Sequence, residues 1–195
     1  ISEPKIKYSL MVGFLLVLGF IVQYFVNRPN FGTFLSSDMD SSSNVYILGV
    51  NEKKDAYKIT KVSPSGATKF QVDLEKSNKE NGYIYSNIEV DDKGNIYIVK
   101  QRKDLTAVVT DKTMYPTISE TVLMYDTNGN YVKQIASVDF SKDATPPTEP
   151  YIRKIQVSNN GLTLIGSDSN KFDIITANPY ADEESPRKIK SFEIS

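Results

Sequence analysis

The chain has 195 residues, 23 Lys plus Arg against 24 Asp plus Glu, a formal net charge of -1, and neither Cys nor His. Near-neutrality gives no global basic field to attract nucleic acid. The missing imidazoles and thiols remove the groups that dominate zinc sites, thiol nucleophiles and hydroxyl activation, so neither a metal nor a cofactor is expected. Length allows one or two domains, and the absence of cysteine means no disulfide staple.

Tyr8 to Val26, YSLMVGFLLVLGFIVQYFV, carries no charge. At about 1.5 Å per residue it matches the roughly 30 Å hydrocarbon core of a bilayer, so residues 1–27 are expected to form a transmembrane α-helix acting as a signal anchor. Tyr8 at one end and Tyr24 and Phe25 at the other would place rings at both interfaces. Lys5 and Lys7 precede the run and Arg28 alone follows closely. That bias favours a cytoplasmic N-terminus, with everything after Asn27 outside. Gly13 and Gly19 are too far apart for a close-packing glycine pair.

Residues 28–43 read as a tether and first-strand region, with one apolar patch at Phe31 to Leu35. Asp38, Asp40 and Ser42 mimic the opening of a calcium loop, but Ser43 and Gly49 stand where that loop needs Gly and Glu. A solvated turn is the better reading.

From residue 44 the pattern is period-two alternation broken by turns, the signature of short strands. IEVDDKGNIYIV, Ile88 to Val99, is a strand, an Asp-Asp-Lys-Gly turn and a strand. It recurs as IQVSNNGLTLIG, with Ile88 mapping on Ile155, Val90 on Val157, Gly94 on Gly161 and Ile98 on Ile165. NVYILGV repeats its second half, Asn44 on Asn95 and Tyr46 on Tyr97. Later turns are Ser63 to Gly66 and Thr127 to Asn130, whose Asn-Gly is a strong hairpin signal. Pro146, Pro147 and Pro150 punctuate the chain before the last unit.

Each unit holds about four antiparallel strands, the content of a β-propeller blade. The expected fold is all-β: three four-stranded antiparallel blades of a partial β-propeller over residues 44–195, with blades at about 34–75, 82–140 and 151–195, preceded by the helix. The run Ile88, Val90, Asp91, Gly94, Asn95, Ile96, Tyr97, Ile98, followed by Met124, Tyr125, Asp126, Gly129 and Val132, resembles NHL-type and related six-bladed propeller repeats. Rings use about 4 to 8 blades, so a second copy, a protein partner or further C-terminal blades are expected to complete this one.

The longest insertion, Gln101 to Glu120, supplies the candidate interaction loop: Arg102 with Met114, Tyr115 and Pro116 as an exposed apolar tip. The other reading is a strand pair folding back on its own blade. Asp91 and Asp92 invite an acid/base role, yet paired carboxylates in turns usually accept backbone amides. No glycine-rich phosphate loop occurs. The leading expectation is a membrane-anchored, extracytoplasmic, non-catalytic binding, sensor or scaffold module of a larger bacterial membrane protein or complex. The alternatives are the first part of a propeller enzyme, a glycan lyase or hydrolase with catalytic blades beyond residue 195, and an accessory subunit of a membrane transporter.

Overall fold

Alternating apolar positions filled by β-branched and aromatic residues favour pleated strands, and turns rich in Asp, Asn, Ser and Gly join them. The computed structural model describes residues 32–107, 115–143, 146–158, 161–168, 171–181 and 187–193. They form three four-stranded antiparallel meanders. Sheet A comprises β1 (Thr33–Met39), β2 (Val45–Val50), β3 (Tyr57–Val62) and β4 (Thr68–Asp73). Sheet B comprises β5 (Asn81–Val90), β6 (Ile96–Asp104), β7 (Thr117–Tyr125) and β8 (Tyr131–Asp139). Sheet C comprises β9 (Ile152–Ser158), β10 (Gly161–Asp168), β11 (Lys171–Ala177) and β12 (Arg187–Glu193).

One part of the expected fold class is corrected. The described residues are all-β with no helix, and none of their segments is a helix long and apolar enough to cross a membrane. The described residues therefore form a propeller-like all-β fold, and the transmembrane α-helix expected before it is not found among them. A run that is apolar on every side has no period with which to select a helix, so that expectation rested on length and hydropathy alone. Tyr8 to Val26, with Lys5, Lys7, Tyr8, Tyr24, Phe25 and Arg28, lies outside the described residues.

The first strands stand side by side, β1 against β5 and β5 against β9. Between β1 and β5 the links are side chains to backbone: Val90 N–H donates to Asp38 Oδ2 at 2.7 Å and Ile88 N–H to Ser36 Oγ at 3.3 Å. Sheet B is covered on both faces. Tyr46, Leu48 and Ile59 of sheet A pack on Ile88, Ile96 and Ile98 of sheet B. Tyr97, Val99 and Val122, on the other face, pack on Ile155, Leu162 and Leu164 of sheet C. Double coverage explains why Ile96 to Val99 are all buried, against the alternation of the same strand in sheet A.

The repeat slips once. Val90 pairs with Ile96 and Ile88 with Ile98, but Val157 pairs with Leu162 and Ile155 with Leu164. The turn in sheet C is one residue shorter, so Leu164 takes the place of Ile98 and Ile165 falls on the opposite face, 37% exposed. A one-residue slip reverses the side of every later side chain.

Gly129 and Gly66 test how tightly the turns are packed. Both have positive φ, 85° and 83°, which a side chain adopts at a penalty of about 1–2 kcal/mol. A Cβ on Gly129 would also lie 2.4 Å from Val72 Cγ2 of sheet A, whereas one on Gly66 meets nothing within 4 Å. Gly66→Ala is expected to lose only the backbone penalty in denaturant titration, and Gly129→Ala clearly more. Equal losses would show that the turn after β7 does not press on sheet A.

Candidate functional site

The buried carboxylates Asp91 and Glu120 and the half-buried Asp40 are each built into the fold. Asp91 Oδ1 accepts the N–H groups of Lys93 and Asn95 at 2.9 and 2.8 Å. Its Oδ2 accepts Asn95 Nδ2 at 2.8 Å, Tyr97 OH at 3.0 Å and Tyr180 OH, from sheet C's last described loop, at 2.9 Å. Burial pushes this carboxyl up, but the bonds from Asn95, Tyr180 and Tyr97 outweigh it and hold it below the ordinary carboxylate range. Asp40 repeats the device: it takes Asn44 N–H at 2.9 Å and Tyr46 OH at 3.0 Å, with Lys61 Nζ 3.5 Å away. The Asp, Asn and Tyr of the repeated motif are thus a turn lock that also fixes the buried tyrosine. Asp92 is exposed beside it. Among the described residues no group of three or more His, Cys, Asp or Glu is placed to hold a metal.

Glu120, fully buried on β7, joins sheets B and C. Oε1 accepts Tyr151 N–H at 2.7 Å and Gln101 Nε2 at 3.0 Å, while Oε2 accepts Ile152 N–H at 2.5 Å. Burial pushes its carboxyl above the ordinary range despite these donors.

A cleft lies on the side of sheet B that faces sheet A. Its volume is about 540 Å³. Strand register arranges its wall in rows: Tyr83, Arg102 and Ser119; then Tyr85, Lys100, Thr121 and Ser137; then Leu123 and Gln134; then Tyr125 and Tyr131. Residues two apart on a strand share a face, which is why Tyr83 and Tyr85, and Lys100 and Arg102, converge here. Tyr85 packs on Tyr57 of sheet A at 5.1 Å between centroids, closing the inner side.

The charges in the cleft are positioned. Lys100 Nζ pairs with Glu75 and lies 3.8 Å from the centroid of the Tyr83 ring. Arg102 Nε donates to Asn81 Oδ1 at 2.9 Å. Burial pushes the Tyr125 hydroxyl up to about 12, and it raises Tyr85 and Tyr83 as well, the latter with help from Glu75. These phenols are neutral hydrogen-bonding groups at physiological pH. The arrangement can bind and orient a polar ligand with apolar faces.

Of the expected interaction loop, Arg102 is exposed on β6 and lines the cleft. Tyr115 is half-buried and Pro116 buried, where an exposed tip was expected, and Met114 lies outside the described residues. Lys103 Nζ bonds Thr148 O at 2.7 Å and Tyr115 O at 3.5 Å, holding this segment against the chain before sheet C. The sequence reading missed Tyr83, Tyr131, Lys100 and Glu75; the Tyr-x-Tyr and Lys-x-Arg spacings were the available signal. Compared with known proteins, the chain matches no family model and no curated protein, so its resemblance to propeller repeats stands on the motif and the three sheets.

Proposed function

We propose that this chain is a non-catalytic interaction module whose outermost sheet faces are completed by further sheets of the same kind, from a second copy or a partner chain. One observation carries the reading. Sheet A turns outward, through Met39, Val45 and Ile47, the positions that in sheet B are Val90, Ile96 and Ile98 and pack on sheet A. Sheet C turns outward, through Thr163 and Ile165, the positions that in sheet B are Tyr97 and Val99 and pack on sheet C. The two open faces are therefore related as the two sides of each internal interface are, which supports head-to-tail continuation. The NHL-type repeat belongs to this reading, supported by the Asp-Gly-Asn-Tyr turn lock. That Asp40, Asp91 and Glu120 are spent on structural bonds supports a binding role over an acid/base one.

The expected result is association in the micromolar range or tighter, by sedimentation velocity of the chain alone or with co-purified partners, and its loss in Ile47→Lys and in Ile165→Lys. A single-copy particle at high protein concentration whose outer faces carry no partner overturns the reading.

A further inference from the structure

The cleft on the face of sheet B that turns toward sheet A has a length and a chemistry that select a class of ligand. From Ser119, opposite Arg102, to Tyr125, opposite Tyr131, β7 runs six residues, or about 20 Å at about 3.3 Å per residue. The two ends differ. At one, Arg102 spends Nε on Asn81, and a guanidinium carries further N–H donors in a fork suited to a carboxylate. At the other, Tyr131 is 58% exposed and meets Tyr125 in a T-shaped contact, centroids 5.8 Å apart, which leaves a ring face uncovered by its neighbour. Between them stand the hydroxyls of Ser119, Thr121 and Ser137.

We infer that this cleft binds a short acidic saccharide, its sugar rings lying along β7 and β8, one stacked on Tyr131 and a carboxylate held by Arg102. Sugar rings present apolar C–H faces and hydroxyl edges together, which is what an open phenol ring beside a ladder of hydroxyls can satisfy. An extended peptide is the weaker fit. The cleft lies on the face of sheet B, where the backbone groups are already engaged in the β6–β7 and β7–β8 ladders, so strand addition is not available. Of the four lining tyrosines, Tyr85 and Tyr125 are buried, so the successive open rings that a proline-rich helix needs are missing. This inference uses an internal cleft and is independent of whether the outer faces are completed.

The test is calorimetric titration of the full chain with an oligogalacturonate, the matched neutral oligosaccharide and a proline-rich peptide. The acidic sugar is expected to bind best. Arg102→Ala should weaken it about tenfold while leaving the neutral sugar unchanged, as loss of a charge-assisted bond implies. Tyr131→Ala should weaken both sugars and Tyr131→Phe neither. Both side chains are exposed on strands, and far-UV circular dichroism checks that the sheets persist. No saccharide binding, a preference for the peptide, or acidic binding indifferent to both alanine variants overturns the inference.

Discussion

Glu120→Ala is expected to destabilise the protein by ~3 kcal/mol or more, the largest loss of any single substitution considered. The change strips acceptors from Tyr151 N–H, Ile152 N–H and Gln101 Nε2 at a position with no solvent access. A buried donor left unmade costs about 1–3 kcal/mol, and three are orphaned together. For a chain of this size that corresponds to a fall in melting temperature of roughly 6–12 °C. Glu120→Gln is expected to be nearly as damaging, since its amide group would confront a backbone N–H that cannot accept. The pH dependence has a defined sign. Because burial raises the folded pKa, the pH-dependent part of Glu120's contribution is fully present below the unfolded value of about 4.3 and is lost as pH rises through the folded value, while its accepted bonds persist. Denaturant titrations across that window should lose this slope in Glu120→Gln. A wild-type-like midpoint for either variant would show that the clamp between sheets B and C is dispensable.

Asp91→Ala should come next, at about 2–3 kcal/mol, because it orphans the Tyr97 hydroxyl inside sheet B and cuts the Tyr180 tie from sheet C. Here the amide replacement behaves differently. Asp91→Asn keeps one accepting oxygen, and its NH₂ faces phenol hydroxyls that can accept, so it should lose less than alanine. Its signature is in acid. The folded carboxyl sits below its ordinary pKa, so its contribution is present above about 3.9 and is lost as pH falls through the lower folded value. Asp91→Asn should therefore flatten the acid limb of the stability profile. An unchanged acid limb would remove Asp91 from the account, and Tyr180→Phe, which breaks one bond only, should give a smaller loss in the same measurement.

Much of the architecture was legible in the residues. Ile88, Val90, Ile96 and Ile98 alternate cleanly, and Asp-Asn pairs with Gly mark the turns. Both signals are local, so the strands and turns of each unit follow from neighbours in sequence. The stretch from Gln101 to Glu120 was harder. It reads either as an interaction loop with an apolar tip or as a strand pair folding back on its own blade, and Gln101 to Asp104 finish β6 while Thr117 to Glu120 open β7. Gln101, Thr117 and Glu120 are buried polar groups that satisfy one another, and such a network hides a strand from any rule that expects apolar residues inside. The mapping of Ile98 on Ile165 failed for a related reason: a shorter turn changes register without changing residue types.

What the order of residues determined alone was the strands, their meandering into fours, and the local bonds of Asp40 to Asn44 and of Asp91 to Asn95, because alternation and turn chemistry act over a few positions. Only the tertiary structure decided which face of each sheet is covered, that Glu120 would clamp sheet C, and that Tyr83, Arg102 and Tyr131 would share a cleft. Those relations depend on stacking rows from separate strands against another sheet, and no spacing along the chain encodes the distance between two sheets.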